Sequence, residues 1–113
     1  MQILTTAITV NELKKIAAGT FGDMVKAVVD IDRELVAINA ELHSDLEALL
    51  LENGSIQNSL WGINFYPDIK NNDFLEFDSM INLRPSQKNM SRGIDSKNTR
   101  KKIMQVVDKW VRR

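Results

Sequence analysis

Residues 74–92 read FLEFDSMINLRPSQKNMSR, and this stretch passes from a strand pattern into a segment rich in hydrogen-bonding side chains. In a strand from Phe74 to Arg84, successive side chains point to opposite faces of the sheet. One predicted face is mostly apolar and comprises Leu75, Phe77, Ser79, Ile81 and Leu83. The other face is mostly polar and comprises Glu76, Asp78, Met80, Asn82 and Arg84. Pro85 ends the predicted strand, because proline has no N–H to donate to a neighbouring strand.

The polar segment after this strand is the predicted ligand-binding site. Guanidinium groups and side-chain amides can bind a carboxylate or a phosphate through paired hydrogen bonds. The candidate ligand-binding residues are Asn64, Asn82, Arg84, Gln87, Asn89 and Arg92, with His43 and Glu41 as further residues that would close the site. The same side chains can instead satisfy the backbone of an irregular loop. The sequence leaves both readings open.

Length and composition predict one domain covering residues 1–113, and the order of elements given below predicts that it is an α+β domain. Hydrophobic residues make up 43% and charged residues 27% of the chain, which is ordinary globular usage. No apolar run approaches the roughly 20 residues of a membrane span. The absence of cysteine excludes disulfides, thiolate metal sites and cysteine nucleophiles. The N-terminus has neither a basic region nor a cleavage signal, so we expect a cytoplasmic protein.

The net charge of zero conceals two oppositely charged segments. Residues 1–83 hold five basic and thirteen acidic side chains, whereas residues 84–113 hold ten basic and two acidic ones. The segments therefore carry −8 and +8. We expect the basic C-terminal helix to lie against the acidic part of its own domain, although a basic region can also bind an external polyanion.

The first half of the chain predicts a strand, a helix and a strand pair. Met1 to Thr6 has a strand pattern, and Thr9 with Glu12 predicts a capping box at a helix start. Residues 24–32 and 34–42 alternate in polarity around Asp32 and Arg33, which predicts a hairpin.

The second half predicts a helix, another strand pair and a last helix. Ser44 and Glu47 predict a capping box, with helix over residues 45–52. Residues 60–66 then pair with 74–84, so that Asn64 lies opposite Glu76. A last amphipathic helix begins near Asp95 or Ser96. The order β-α-β-β-α-β-β-α predicts a mostly antiparallel sheet with helices packed mainly on one face.

Three blocks of the sequence resemble an uncharacterised family of prokaryotic proteins, a domain of unknown function. The blocks are ELH at 41–43, LWGxNxYP at 60–67 and INxRPxQxNxSR at 81–92. The resemblance spans nearly the whole chain. It implies one domain and the same candidate segment, and it implies no catalytic role, because the family has no assigned activity.

A metal-assisted hydrolase or nuclease is the first alternative function. Glu41, His43 and Asp45 are spaced so that a continuing strand would present all three on one face, as weak candidates for a metal site. Glu76 and Asp78 are a second carboxylate pair that can hold a metal or act as acid and base. A half-solvated sheet gives the same pattern, and a helix that begins at Ser44 would separate the first trio. No metal is therefore favoured, and the sequence leaves any cofactor unknown.

RNA or DNA binding through the basic C-terminal region is the second alternative. The candidate cations are Arg84, Lys88, Arg92, Arg100, Lys101 and Lys102, with Trp61 and Tyr66 as stacking groups. A sequence pI near 6.6 does not favour this function. The leading hypothesis is a module that binds a small polar or anionic ligand or a protein partner, and the sequence leaves its oligomeric state open.

Overall fold

The computed structural model describes residues 1–113 and contains three helices and seven short strands. The helices are α1 (Val10–Ala18), α2 (His43–Glu52) and α3 (Lys97–Trp110). The strands are β1 (Gln2–Ile3), β2 (Ile8–Thr9), β3 (Val25–Asp30), β4 (Leu35–Ile38), β5 (Leu60–Phe65), β6 (Leu75–Glu76) and β7 (Val111–Arg112). Single 3₁₀ turns lie at Gln57–Ser59, Asn72–Phe74, Met80–Asn82 and Pro85–Gln87.

Five strands form an antiparallel sheet in the order β1-β4-β3-β5-β6. The predicted hairpin of β3 and β4 is confirmed, with Val29 opposite Val36. β3 also pairs with β5 along its whole length, from Val25 opposite Phe65 to Asp30 opposite Leu60. β2 and β7 form a separate parallel pair that the sequence analysis did not predict. The α+β class and the mostly antiparallel sheet are thus confirmed.

Both faces of the sheet are covered. On the face that we call the α1/α3 face, those two helices close a core of nineteen buried residues, including Leu13, Phe65 and Ile103. α2 lies on the opposite face, the α2 face, where Leu46 and Leu50 pack on Val28. Two of the three helices therefore share a face, as predicted. The α2 face explains why β3 is buried at consecutive positions rather than only at alternate ones.

The predicted capping box of α1 is confirmed, and that of α2 is wrong. Thr9 accepts a hydrogen bond from the Glu12 amide, and the Glu12 side chain accepts one from the Thr9 amide. α2 begins two residues earlier than predicted, at His43, with Leu42 as an N-cap that forms no side-chain hydrogen bond. Glu47 is drawn instead to the Arg84 guanidinium, 3.5 Å away.

The long strand predicted over residues 74–84 is wrong beyond Glu76. Asn64 lies opposite Glu76 and Phe65 opposite Leu75, as predicted, but the pairing stops there. The Ser79 hydroxyl accepts a hydrogen bond from the Ile81 amide and starts a 3₁₀ turn at Met80–Asn82. The alternation of polarity in the sequence continues past Glu76, although the strand ends there. A turn capped by Ser79 satisfies the hydrogen-bonding groups of the backbone in place of strand pairing.

The first strand and the second strand of the hairpin are also shorter than predicted. β1 covers only Gln2–Ile3 of the predicted residues 1–6. β4 ends at Ile38, because Asn39 adopts a positive φ of 72°, which lies outside the β region of backbone conformation. The remaining residues before α2 make a bend, which leaves Glu41 exposed.

The basic C-terminal helix lies against its own domain, as expected. Ser96 is its N-cap and accepts a hydrogen bond from the Thr99 amide. Ile103, Val106 and Val107 are buried in the core of the α1/α3 face. At the far end, the Trp110 indole donates to the Glu34 carbonyl at 2.7 Å. None of the helices has the length and apolar character that a membrane crossing requires.

Candidate ligand-binding site

The Asn82 side chain takes the place of a strand residue beside β5. Its Oδ1 accepts from the Gly62 amide at 2.8 Å, and its Nδ2 donates to the Gly62 carbonyl at 2.9 Å. The same Nδ2 donates to the Arg92 carbonyl at 3.0 Å, and the Ser79 amide donates to that oxygen at the same distance. Asn82 is completely buried, so it links the sheet edge to the start of the polar segment and fixes where Arg92 lies.

The Arg84 guanidinium is directed into the protein. It donates to the carbonyls of Ile81, Gln57 and Leu60 and to the Gln87 side chain. Its central carbon lies 4.8 Å from the centre of the Trp61 ring. Burial lowers the pKa of Arg84, and Glu47 opposes that shift by attraction. The donors of Arg84 are therefore largely occupied by the protein.

Asn89 and Gln87 hold the loop after Pro85 closed. Asn89 is buried, and its Nδ2 donates to the carbonyls of Asn82, Ser91 and Gly93. Its Oδ1 accepts from the Asp95 amide at 2.9 Å. Gln87 donates to the Asn58 carbonyl at 3.1 Å. Most of the predicted ligand-binding side chains thus have backbone partners inside the domain.

Arg92 is the member of that segment that faces a cavity. The cavity has a volume of about 150 Å³ and lies where α2 begins, beside the 3₁₀ turn after β6. We call it the His43 cavity. Its lining residues are Lys26, Leu42, His43, Ser44, Ser79, Met80, Ile81 and Arg92. Two of the predicted site residues, His43 and Arg92, therefore meet here although 49 positions separate them in the sequence.

His43 is held by one hydrogen bond to the sheet. The imidazole is only 8% exposed, and its Nε2 lies 2.8 Å from the Ile63 carbonyl oxygen. Since a carbonyl only accepts, Nε2 carries the proton. Burial lowers the pKa of His43 and Lys26 lowers it further, whereas Ile63, Asn64 and Asp78 favour the charged form. The imidazole is therefore held in its neutral form near pH 7.

The two cations of the His43 cavity have different partners. Lys26 forms no salt bridge; its ammonium lies 5.2 Å from the centre of the exposed Phe21 ring. Arg92 pairs with Asp78, through Nε at 2.8 Å and Nη2 at 3.4 Å. That pairing uses one edge of the guanidinium and leaves Nη1 without a protein partner. The cavity thus has positive charge and donors that no residue of the chain neutralises fully.

Asn64 lies directly behind the cavity, in a row of cross-strand neighbours with Lys26 and Glu76. Its Nδ2 donates to Glu76 at 2.8 Å and to the Asp78 carbonyl at 3.2 Å. Its Oδ1 is buried without a hydrogen-bond partner. The Tyr66 hydroxyl donates to the same Glu76 oxygen at 3.1 Å. Burial is the main cause that raises the pKa of Tyr66, and the Glu76 carboxylate raises it further.

The candidate metal ligands do not come together. Glu41 and Asp45 are exposed while His43 is buried, because α2 begins at His43 and turns the three side chains apart. Glu76 is bound by Asn64 and Tyr66, and Asp78 is bound by Arg92. No group of three His, Asp or Glu side chains is placed to hold a metal ion. The metal-assisted hypothesis therefore has no three-ligand centre in this structure.

The cations of α3 lie on its solvent side. Lys97, Lys101 and Lys102 are exposed, whereas Arg100 donates to the Ile94 carbonyl and Lys109 pairs with Glu34 at 4.0 Å. Trp61, a candidate stacking group, is only 5% exposed and belongs to the core of the α1/α3 face. The nucleic-acid hypothesis stays a prediction that concerns this solvent face together with the exposed Lys88 and Arg92.

Sequence reasoning missed Lys26, Ser44 and Ser79 as residues that line the His43 cavity. Lys26 interrupts the apolar pattern of β3, which was a usable signal. The pairing of β3 with β5, which sets Lys26 beside Asn64, depends on contacts between distant segments. The sequence pattern of either strand does not contain that information.

Comparison with known families agrees with this description of a single domain. The model of DUF5674, described as a protein of unknown function, matches residues 2–110. The chain belongs to DUF5674. No curated protein and no solved structure matches this DUF5674 chain. The family assigns no activity, so the His43 cavity is interpreted from its own chemistry.

Proposed function

We propose that this chain is a binding module for a small polar anion, and that the anion occupies the His43 cavity. The observation that carries the proposal is the meeting of Lys26, His43 and Arg92 around one concave space at the first turn of α2. A volume of about 150 Å³ is below the roughly 300 to 1,000 Å³ of drug-sized pockets. The proposed ligand is therefore of the size of a phosphate or a small carboxylate.

The charges around the cavity support an anion rather than a cation. Lys26 has no carboxylate partner, and Nη1 of Arg92 has no protein acceptor. No Asp or Glu lines the cavity. The first turn of a helix also favours a negative charge, and Leu42 supplies no side-chain acceptor for its amides. An anion would offset charge that is otherwise only partly compensated.

In this proposal, the predicted residues of the polar segment divide into two roles. Arg92 contacts the ligand, together with Lys26 and His43. Asn82, Arg84, Gln87 and Asn89 keep the segment folded so that Arg92 stays beside Ser79, and Asn64 supports the cavity from the sheet. The cytoplasmic location expected from the sequence stays part of the proposal.

Titration with inorganic phosphate at constant ionic strength tests the proposal. We expect saturable changes in the backbone amide NMR signals of Lys26, Ser44 and Arg92. Lys26→Met keeps the length of the side chain and removes its charge, and we expect it to weaken phosphate binding at least about tenfold. Lys101→Met is the matched control, because Lys101 is an exposed lysine on α3.

Comparison of the two variants separates specific from general effects of the salt. Phosphate also stabilises folded proteins by exclusion from their surface, which does not depend on any one lysine. Equal phosphate affinity in Lys26→Met and Lys101→Met, or unsaturable shifts spread over the whole surface, would contradict the anion site.

A further inference from the structure

The neutral His43 ring has one nitrogen that donates a hydrogen bond and one that can accept a hydrogen bond. Its Nε2 donates to the Ile63 carbonyl, so in the neutral ring Nδ1 carries a lone pair. The contact with Ile63 is the one hydrogen bond of the ring, and the neighbouring Asn64 also favours the charged form. Nδ1 is not one of the fully buried atoms that lack a partner, and His43 belongs to the lining of the cavity.

The surroundings keep this acceptor unprotonated. His43 packs under the first turn of α2, over β5, where the Ile63 carbonyl and Asn64 lie. The charged groups that act on it are Lys26, from β3, and Asp78, from the segment after β6. Burial and Lys26 both lower the pKa of His43. The ring is therefore neutral at about pH 8.

We propose that the anion bound here carries its own hydrogen-bond donor, as hydrogen phosphate does, and that His43 Nδ1 accepts that hydrogen. This inference rests on the anion site proposed above and specifies its ligand class. Lys26 and Arg92 bind the negatively charged oxygens, while the protonated oxygen faces Nδ1. The ligand class is then an oxyanion that retains an O–H group.

An oxyanion without a hydrogen leaves the acceptor unpaired and places a charged oxygen against its lone pair. A site built to hydrogen-bond a ligand O–H rejects an analogue that lacks it, because the buried partner loses its hydrogen bond. Sulfate and monofluorophosphate have the same charge as hydrogen phosphate and nearly its shape, but neither has an O–H group. They are therefore matched probes for the proposed contact.

The experiment compares the dissociation constants of inorganic phosphate, sulfate and monofluorophosphate at about pH 8 and constant ionic strength. We expect phosphate to bind about tenfold more tightly than either analogue. In His43→Phe, a ring of similar size fills the space of the imidazole and has no nitrogen that could accept a hydrogen bond. We expect this variant to bind the three anions with similar affinity.

Each outcome decides between the two proposals. Equal binding of the three anions by the natural chain, weakened by Lys26→Met, would overturn the inference about His43 and leave the anion site standing. A phosphate preference that persists in His43→Phe would overturn it as well, since an acceptor on another residue would then be responsible. If no anion binds, or if Lys26→Met has no effect, the anion site fails and the inference fails with it.

Discussion

At the scale of single residues, Gly62 is the point where the regular sheet gives way to the segment that builds the cavity. A Cβ at Gly62 would lie 2.5 Å from the Cβ of Ser79, far inside van der Waals contact. The absence of a side chain lets Ser79 cross close to β5 and lets the Asn82 amide reach the Gly62 backbone. Glycine is required here for close approach and not for a positive φ.

Gly62→Ala is therefore expected to lower the free energy of unfolding by about 1 to 3 kcal/mol, since Ser79 must shift. Urea denaturation measures the change. In the double variant with Ser79→Gly, the nearest side-chain atom to the new Cβ is Cγ1 of Ile81, at 3.2 Å. We expect the two substitutions together to cost less than the sum of the single costs.

Gly93→Ala is the matched control for this cycle. Its Cβ would meet nothing closer than 3.5 Å, which is ordinary contact. If the changes in the free energy of unfolding from Gly62→Ala and Ser79→Gly were strictly additive, this would contradict the close contact between Ser79 and Gly62.

Burial of His43 makes the free energy of unfolding increase with pH. Burial lowers the pKa of His43 in the folded protein below the ordinary histidine value of about 6.5, so near and below that pH the unfolded chain binds more protons. Stability then rises with pH through this range, and its His43 contribution is lost as the pH falls below about 6.5. We expect His43→Gln to lose stability less steeply than the natural chain between about pH 7.5 and pH 5.5. Urea denaturation of both proteins across that range measures the difference, and parallel pH profiles would contradict a neutral buried imidazole.

At the scale of elements, one edge of β5 is completed by a side chain where a strand was predicted. β6 pairs with β5 only at two positions, and the Asn82 amide takes over at Gly62. The following loop closes on itself, since Arg84 and Asn89 exchange both backbone hydrogen bonds, at 2.9 and 3.1 Å. The polar segment is therefore a folded element held by side-chain hydrogen bonds and one isolated backbone bridge, and not by an extended ladder.

Asn82→Ala tests the role of that amide. It removes three hydrogen bonds and leaves the Gly62 amide and carbonyl and the Arg92 carbonyl without this partner. We expect the free energy of unfolding to fall by about 3 kcal/mol, because unpaired buried backbone groups cost about 1 to 3 kcal/mol each and partial relaxation recovers some of it. Denaturant titration measures the loss. Asn58→Ala, at an exposed position, is the control, and equal stability of the two variants would contradict this role.

At the scale of the whole molecule, a neutral chain is divided into an acidic body and a basic C-terminal region. Residues 1–83 carry −8 and residues 84–113 carry +8, and α3 packs on the sheet through Ile103, Val106 and Val107. Glu34 illustrates the contact between the two parts, since it pairs with Lys109 and accepts from the Trp110 indole. We expect attraction between the parts to add to the apolar packing that holds α3.

Added NaCl is expected to reduce this attraction by screening. Lys101→Gln with Lys102→Gln lowers the charge of α3 without touching its buried face. We expect NaCl to destabilise the natural chain relative to this variant, by about 1 kcal/mol or less between low salt and roughly 0.5 M. Thermal unfolding of both proteins measures the difference. An identical salt dependence would show that packing alone holds the helix.

Short-range features of the sequence suffice to predict the local structure of this protein, because that structure depends on neighbouring residues. The Thr9 capping box, the hairpin around Asp32 and the amphipathic C-terminal helix follow from short-range hydrogen bonding and periodicity. The register of Asn64 opposite Glu76 follows from alternation on two adjacent strands. The sequence also singled out His43 and Arg92, which line the same cavity in the structure.

The tertiary structure alone decided which face α2 covers, where the strand after Phe74 ends and which residues meet in the His43 cavity. Lys26 reaches the cavity through the pairing of β3 with β5, and Arg92 reaches it through Asn82. These contacts join residues far apart in the chain, and their free energy depends on burial and on partners that no local pattern specifies. The alternation after Glu76 was compatible with a strand and with a capped turn, and packing against Gly62 selected the turn.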